Sequence, residues 1–186
     1  EENNPGISDL YEIGTLVNVK QIVKMPNKIV RVLVEGVQRA KVIGFESDPY
    51  FIAQIVLAKP EVQLEEEMPL ETKEAMRRQI CEMYLQYSLL MNKKDQGLMQ
   101  HLSGIEQLGK VLDQITMLLP VDYKKKQMIL EAIHLQKRYE KLTQLLQTES
   151  GVLEVKNELA KKVKERVEKN QREFVLKEQM KYIREE

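Results

Sequence analysis

Apolar side chains recur at alternate positions or in short β-branched runs between residues 14 and 59, and every three to four positions beyond residue 70. The first pattern predicts strands and the second predicts helices. Gly14-Thr15-Leu16-Val17-Asn18-Val19-Lys20-Gln21-Ile22-Val23 is rich in β-branched residues and partly alternates, which fits a strand. Met25-Pro26-Asn27-Lys28 supplies a turn before Ile29-Val30-Arg31-Val32-Leu33-Val34-Glu35. There Val30, Val32 and Val34 share one face, as a half-buried strand requires. Gly36 is expected to break that strand. Further strands are expected near 39–46 and 52–59, joined at Asp48-Pro49. The sum is a meandering antiparallel β lobe over residues 1–60.

Residues 61–69, acidic and ending in Pro69, read as a linker. Helices are expected near 71–93, 105–118, 122–148 and 152–186, with stops at Asn92 and Gly97, at Pro120 and at Ser150-Gly151. The fold class is therefore α+β: a β lobe, a helical bundle over 70–151, and a long projecting helix over 152–186. At ~1.5 Å per residue that last helix spans roughly 50 Å, against a radius of gyration of about 16 Å for a compact chain of this length. Its apolar stripe is thin: Val155, Leu159, Val163 and Val167, then polar Asn170-Gln171, then Phe174. Such a stripe is narrower than a core-facing helix carries, and suits a helix–helix seam.

Composition narrows the function. The chain holds 29 Lys+Arg and 29 Asp+Glu, so it lacks the positive field of a dedicated nucleic-acid or anionic-membrane binder. The single cysteine, Cys81, excludes a disulfide framework and suits a reducing, cytoplasmic setting. No apolar run reaches the ~18–20 residues that span a bilayer, so no membrane partner is expected. The start lacks initiator Met and signal-peptide character, and the end stops inside a helical pattern. The sequence reads as part of a longer protein.

Candidate chemistry is sparse. Gly104-Ile105-Glu106-Gln107-Leu108-Gly109-Lys110-Val111 matches G-x-x-x-x-G-K, but Val111 replaces the Ser or Thr that holds Mg²⁺, and no strand precedes it. His101 and His134 have no Cys or carboxylate at ligand spacing. Cys81 reads as a small buried hydrophobe, and no serine sits in a nucleophile elbow or Ser-x-x-Lys context. No catalytic, cofactor or metal residue is expected. Lys124-Lys125-Lys126 lies at the unfavourable end of a helix dipole, which hints at an external acidic surface. Met76, Met83, Met91, Met99, Met117 and Met128 gather in the helical half and read mainly as core. In the first hairpin, Leu16, Val23, Met25 and Ile29 exceed what a one-sided strand pair needs, so some are expected to face outward and contact substrates.

Asp9-Leu10-Tyr11-Glu12-Ile13-Gly14-Thr15, then Val32-Leu33-Val34-Glu35-Gly36 and Arg39-Ala40-Lys41-Val42, resembles the amino-terminal domain of the bacterial Lon family of ATP-dependent proteases. Lys126-Gln127-Met128-Ile129-Leu130-Glu131, Arg138-Tyr139 and Leu145-Leu146 continue the match. Its strongest part is 169–183, which looks like the family's Q-R-E-x-x-L-x-E-Q-x-K-x-I segment ahead of the ATPase module. The resemblance implies further strands and a helix ahead of Asp9, which leaves the sheet incomplete. It also implies a parent serine endopeptidase that degrades misfolded and regulatory proteins, with ATP, Mg and a Ser-Lys dyad outside this chain. The role implied here is capture of unfolded or damaged proteins and assembly of a hexamer, with 152–186 leading to the ATPase module. DNA contact stays open for the parent alone. The rival reading is a coiled-coil scaffold or adaptor that handles no substrate.

Overall fold

The computed structural model describes residues 7–26, 29–46, 50–92 and 96–185. After a short 3-10 turn (Ile7–Asp9), three strands form an antiparallel sheet in the order β1-β2-β3: β1 (Ile13–Lys24), β2 (Val30–Glu46) and β3 (Ile52–Leu57). Met25 N–H donates to the Ile29 carbonyl at 2.7 Å and closes the first hairpin. Two of the expected strands prove to be one. β2 runs unbroken through Gly36, which opposes Val17, because Val37 is accommodated as an extra, bulged residue between the Leu16–Gln38 and Val17–Gly36 pairs. The turn residues Asn27, Lys28, Asp48 and Pro49 lie outside the described residues.

The helical half is α1 (Glu61–Glu66), α2 (Leu70–Leu90), α3 (Gln96–Ser103), α4 (Leu108–Leu118), α5 (Tyr123–Leu130) and α6 (Leu135–Glu185). The expected linker is thus largely helix. Glu65 in α1 accepts from the Gly109 N–H at 3.0 Å and places a carboxylate at the positive end of α4. Asn92 does close α2, in the left-handed region at φ 57°, and α4 ends ahead of Pro120. Gly97 lies inside α3 rather than stopping it. The helix expected over 122–148 breaks at residues 131–134, and Ser150-Gly151 passes through α6 without interruption. α6 therefore has 51 residues, about 76 Å at ~1.5 Å per residue.

The core belongs to the helices. Ile80, Tyr84 and Tyr87 of α2, Leu108, Val111, Leu112 and Ile115 of α4, and Leu142, Leu145 and Leu146 of α6 interlock at helical spacing. Leu64, Cys81, Leu102, Leu119, Ile129 and Leu135 complete it. Tyr139 Oη donates to Gln79 Oε1 at 2.8 Å, and Asn157 Nδ2 reaches the Leu90 carbonyl at 2.9 Å. Past that point α6 projects, with every described side chain exposed. The sheet contributes little to the core: Ala40 and Arg39 are its buried residues among those described.

Candidate functional site

The β lobe meets the bundle through two arginines and one aspartate. Arg39 donates from Nη1 and Nη2 to the Asp113 carboxylate at 3.0 and 2.5 Å, and from Nε to the Leu130 carbonyl at 3.1 Å. Arg138, wholly buried, reaches Asp113 at 3.6 Å and donates to the Ala132 and Ile133 carbonyls, each at 3.1 Å. The guanidinium thus satisfies carbonyls left free where α5 ends and α6 begins. Gln127 Nε2 adds a bond to the Ile13 carbonyl at 2.8 Å.

Beside this cluster lies a cleft of about 810 Å³, walled by Gly36, Val37 and Gln38 on one side and by one face of α4 on the other. That volume falls within the ~300–1,000 Å³ of ordinary ligand sites. The α4 face is Lys110, Asp113, Gln114 and Met117, with Gln107 just ahead of the helix, on the side opposite its core residues. At the rim Lys59 pairs with Glu67 at 2.7 Å, and the Lys59 hydrogen bond and charge hold the Glu67 carboxyl below its ordinary range.

The second feature is the first hairpin. Cross-strand pairs Val19–Val34 and Ile22–Val32, with Val17 and Val30, put six apolar side chains on one face. All six are exposed, Ile22 at 61% and Val34 at 47%. Val30, Val32 and Val34, expected to be half-buried, are therefore open among the described residues. Leu16, Val23 and Ile29 are exposed and Met25 is half-buried, but the four do not form one patch: Val23 lies with Arg31 and Leu33 on the other face. The face carried by Val30, Val32 and Val34 was visible as alternation, and its burial was the part misjudged.

The decoys resolve in structural terms. Gly104 ends α3, while Gly109 and Val111 are buried in α4, so no phosphate cradle exists there and these residues do not fit a nucleotide. His101 is exposed on α3; His134 precedes α6 and accepts the Arg138 N–H through its carbonyl at 3.0 Å. Two of the three lysines have internal partners. Lys125 pairs with Glu149 at 2.5 Å, and Lys126 donates to the Met117 carbonyl at 2.9 Å. Met76, Met83 and Met91 pack on the core, whereas Met117 and Met128 are exposed. The Met99 side chain lies outside the described set. On α6, Val155, Leu159, Val163, Val167 and Phe174 are all exposed.

Residues 1–148 match the sequence model of the ATP-dependent protease La (LON) substrate-binding domain. The chain belongs to the Lon family. It is 35% identical over its full length to the Lon protease of Lachnoclostridium phytofermentans and 38% identical, over 98% of the chain, to that of Brevibacillus choshinensis. It spans 23% of the length of each of those relatives. The N-terminal domain of the Mycobacterium avium complex Lon protease superposes with a TM-score of 0.62 at 13% identity, covering 77% of this chain and 74% of that one. That likeness supports the α+β fold of sheet, bundle and long helix. Among the described residues no helix is long and apolar enough to cross a membrane.

Proposed function

We propose that this chain is the part of a Lon-type protease that captures misfolded and regulatory polypeptides for degradation, using the open apolar face of its first hairpin. The observation that carries the reading is that face: Val17, Val19, Ile22, Val30, Val32 and Val34 exposed together on a domain of the substrate-binding family. A shallow apolar surface suits targets that share little beyond exposed hydrophobic side chains. Leu16 and Val23, which alternate onto the other face of the hairpin, and Met25 and Ile29 at its end lie outside this contact. ATP, Mg and the Ser-Lys dyad belong to parts of the protein outside these residues.

The projecting half of α6 would serve assembly, pairing with the same helix of another copy within a hexamer. The test uses the full-length protein. Ile22→Ser with Val32→Ser should raise KM for an unfolded model protein several-fold, while cleavage of a short peptide and ATP hydrolysis stay near wild type. An unchanged KM in a well-folded variant would remove the hairpin from substrate capture.

A further inference from the structure

Residues 122–148 contain no glycine or proline, and their apolar spacing predicts one helix. The chain nevertheless leaves the helix at Glu131-Ala132-Ile133-His134, between α5 and α6. None of these four residues is a helix breaker, and alanine and glutamate are among the strongest helix formers. The local sequence therefore does not demand the break. Tertiary contacts impose it.

A break in a helix strands backbone carbonyls, and here three of them have guanidinium donors. Arg39 Nε donates to the Leu130 carbonyl, Arg138 Nε to that of Ala132 and Arg138 Nη2 to that of Ile133, each at 3.1 Å. Asp113 faces both guanidiniums and holds them in place. In an unbroken helix the same carbonyls would accept from the N–H groups of His134, Gln136 and Lys137. One set of acceptors thus has two alternative sets of donors, which gives the segment two discrete arrangements. Charged donors favour the broken one while they are present. Arg138 belongs to α6 and stays beside its carbonyls whatever the sheet does. Arg39 arrives from β2, across 91 residues of sequence, so the seating of the β lobe decides whether Leu130 keeps its donor.

We propose that residues 131–134 form a conformational switch, broken while Arg39 is seated on Asp113 and Leu130, and helical when the β lobe draws Arg39 away. Helix formation would swing α5 towards the line of α6, and with it Tyr123, Lys126 and Gln127 of the cleft wall. Gln127 also donates to the Ile13 carbonyl at 2.8 Å, so the swing would loosen a further tie to the sheet and make release of the lobe cooperative. Residues 119–122 join α4 to α5 and reach at most about 14 Å, which confines the swing to roughly the width of one helix. Ile129, wholly buried, would be drawn from the core, and this keeps the broken form the ground state. The switch reports the position of the β lobe to the helical bundle, whether or not the hairpin captures polypeptides.

Amide hydrogen exchange of the full-length protein, read over residues 131–140, separates a switch from simple loosening. The first intrahelical bond at this end of α6 runs from the Arg138 N–H to the His134 carbonyl at 3.0 Å. The N–H groups of 134–137 precede it, have no acceptor within α6 and should exchange fast. In Arg39→Gln they should exchange at least about fivefold more slowly, because the helix then runs through them, while α2 and α4 keep their protection. Adding His134→Pro removes the helical bond to Leu130 and clashes with that turn, so it should cancel the slowing. His134→Gly, a milder change, should diminish it. Faster or unaltered exchange at 134–137 in Arg39→Gln, with α2 and α4 protected, overturns the switch. Loss of protection through α2 and α4 also overturns it, since Arg39 would then hold the whole bundle together rather than set one junction.

Discussion

Arg39 grips Asp113 through both terminal guanidinium nitrogens, at 3.0 and 2.5 Å, and so fastens the middle strand of the sheet to α4 across 74 residues of sequence. Asp113 also faces the buried Arg138 at 3.6 Å. Asp113→Asn keeps the shape and removes the charge, leaving two largely desolvated guanidiniums without their counter-ion. Removing one partner of a buried pair costs about 3–5 kcal/mol, and the 40% exposure of Asp113 brings the expected loss towards about 3. Denaturant unfolding should show it. Arg39→Lys retains charge but loses the fork, and should cost less. A shift below about 0.5 kcal/mol for Asp113→Asn would mean that the surface ion-pair regime applies instead.

This cluster also marks where sequence reading stopped. The α+β order and the ends of α2 and α4 were legible, because Asn92 and Pro120 act locally. The Arg39 and Arg138 segments were visible as family-like residues, but their joint role was not, since it depends on contacts 74 and 25 residues apart with Asp113. One signal was available. Arg138 sits three residues after Leu135 and four before Leu142, at a core position of α6, where an arginine demands a buried partner. The apolar face of the hairpin was legible as a pattern, but exposure depends on what packs against it, and alternation alone does not encode that.

Glu74 offers a pH test. Hydrogen bonds from Arg77 and Arg78, at 2.9 and 2.6 Å, hold its carboxyl down at about 2. A depressed acid contributes stability that is present above its unfolded value and fades as pH falls towards the folded one. The thermal transition should therefore be insensitive to this group near neutrality and lose its contribution between about pH 4.5 and 2. Glu74→Gln should flatten that part of the profile. An identical acid limb in the variant would reassign the sensitivity to other carboxylates.

Cys81 is buried on α2, and burial pushes its thiol up, with Arg77 opposing the shift. Reaction requires the thiolate, so labelling with a disulfide reagent at pH 8 should be far slower in the native protein than after denaturation. Native labelling at the rate of an exposed thiol would show that α2 opens readily at this point.

Gly151 lies within α6, and a Cβ added there meets nothing within 4 Å. A mid-helix glycine costs about 1 kcal/mol relative to alanine. Gly151→Ala should accordingly raise stability by about 0.5–1 kcal/mol in denaturant unfolding. A loss would reveal that a bend at this position matters to the fold.

The projecting part of α6 carries a seam with its own geometry. Val152, Val163 and Phe174 stand eleven residues apart, with Val155, Leu159 and Val167 at intervening steps of three or four. An eleven-residue repeat averages 3.67 residues per turn, closer to a straight α-helix than a heptad is, and favours a nearly straight or slightly right-handed pairing. Leu176, Met180 and Ile183, also exposed, fall on the opposite side of the helix, so a different neighbour would meet them. Because Leu159 and Val163 lie beyond the last bond from α6 to α2, at Asn157, changing them to Asp should leave the bundle's melting transition in place. It should shift the assembled protein to smaller species in sedimentation. Leu176→Asp with Met180→Asp should spare that association. Collapse of the transition with Leu159→Asp and Val163→Asp would show these side chains to be core, and unaltered sedimentation would show that the seam does not pair copies of the chain.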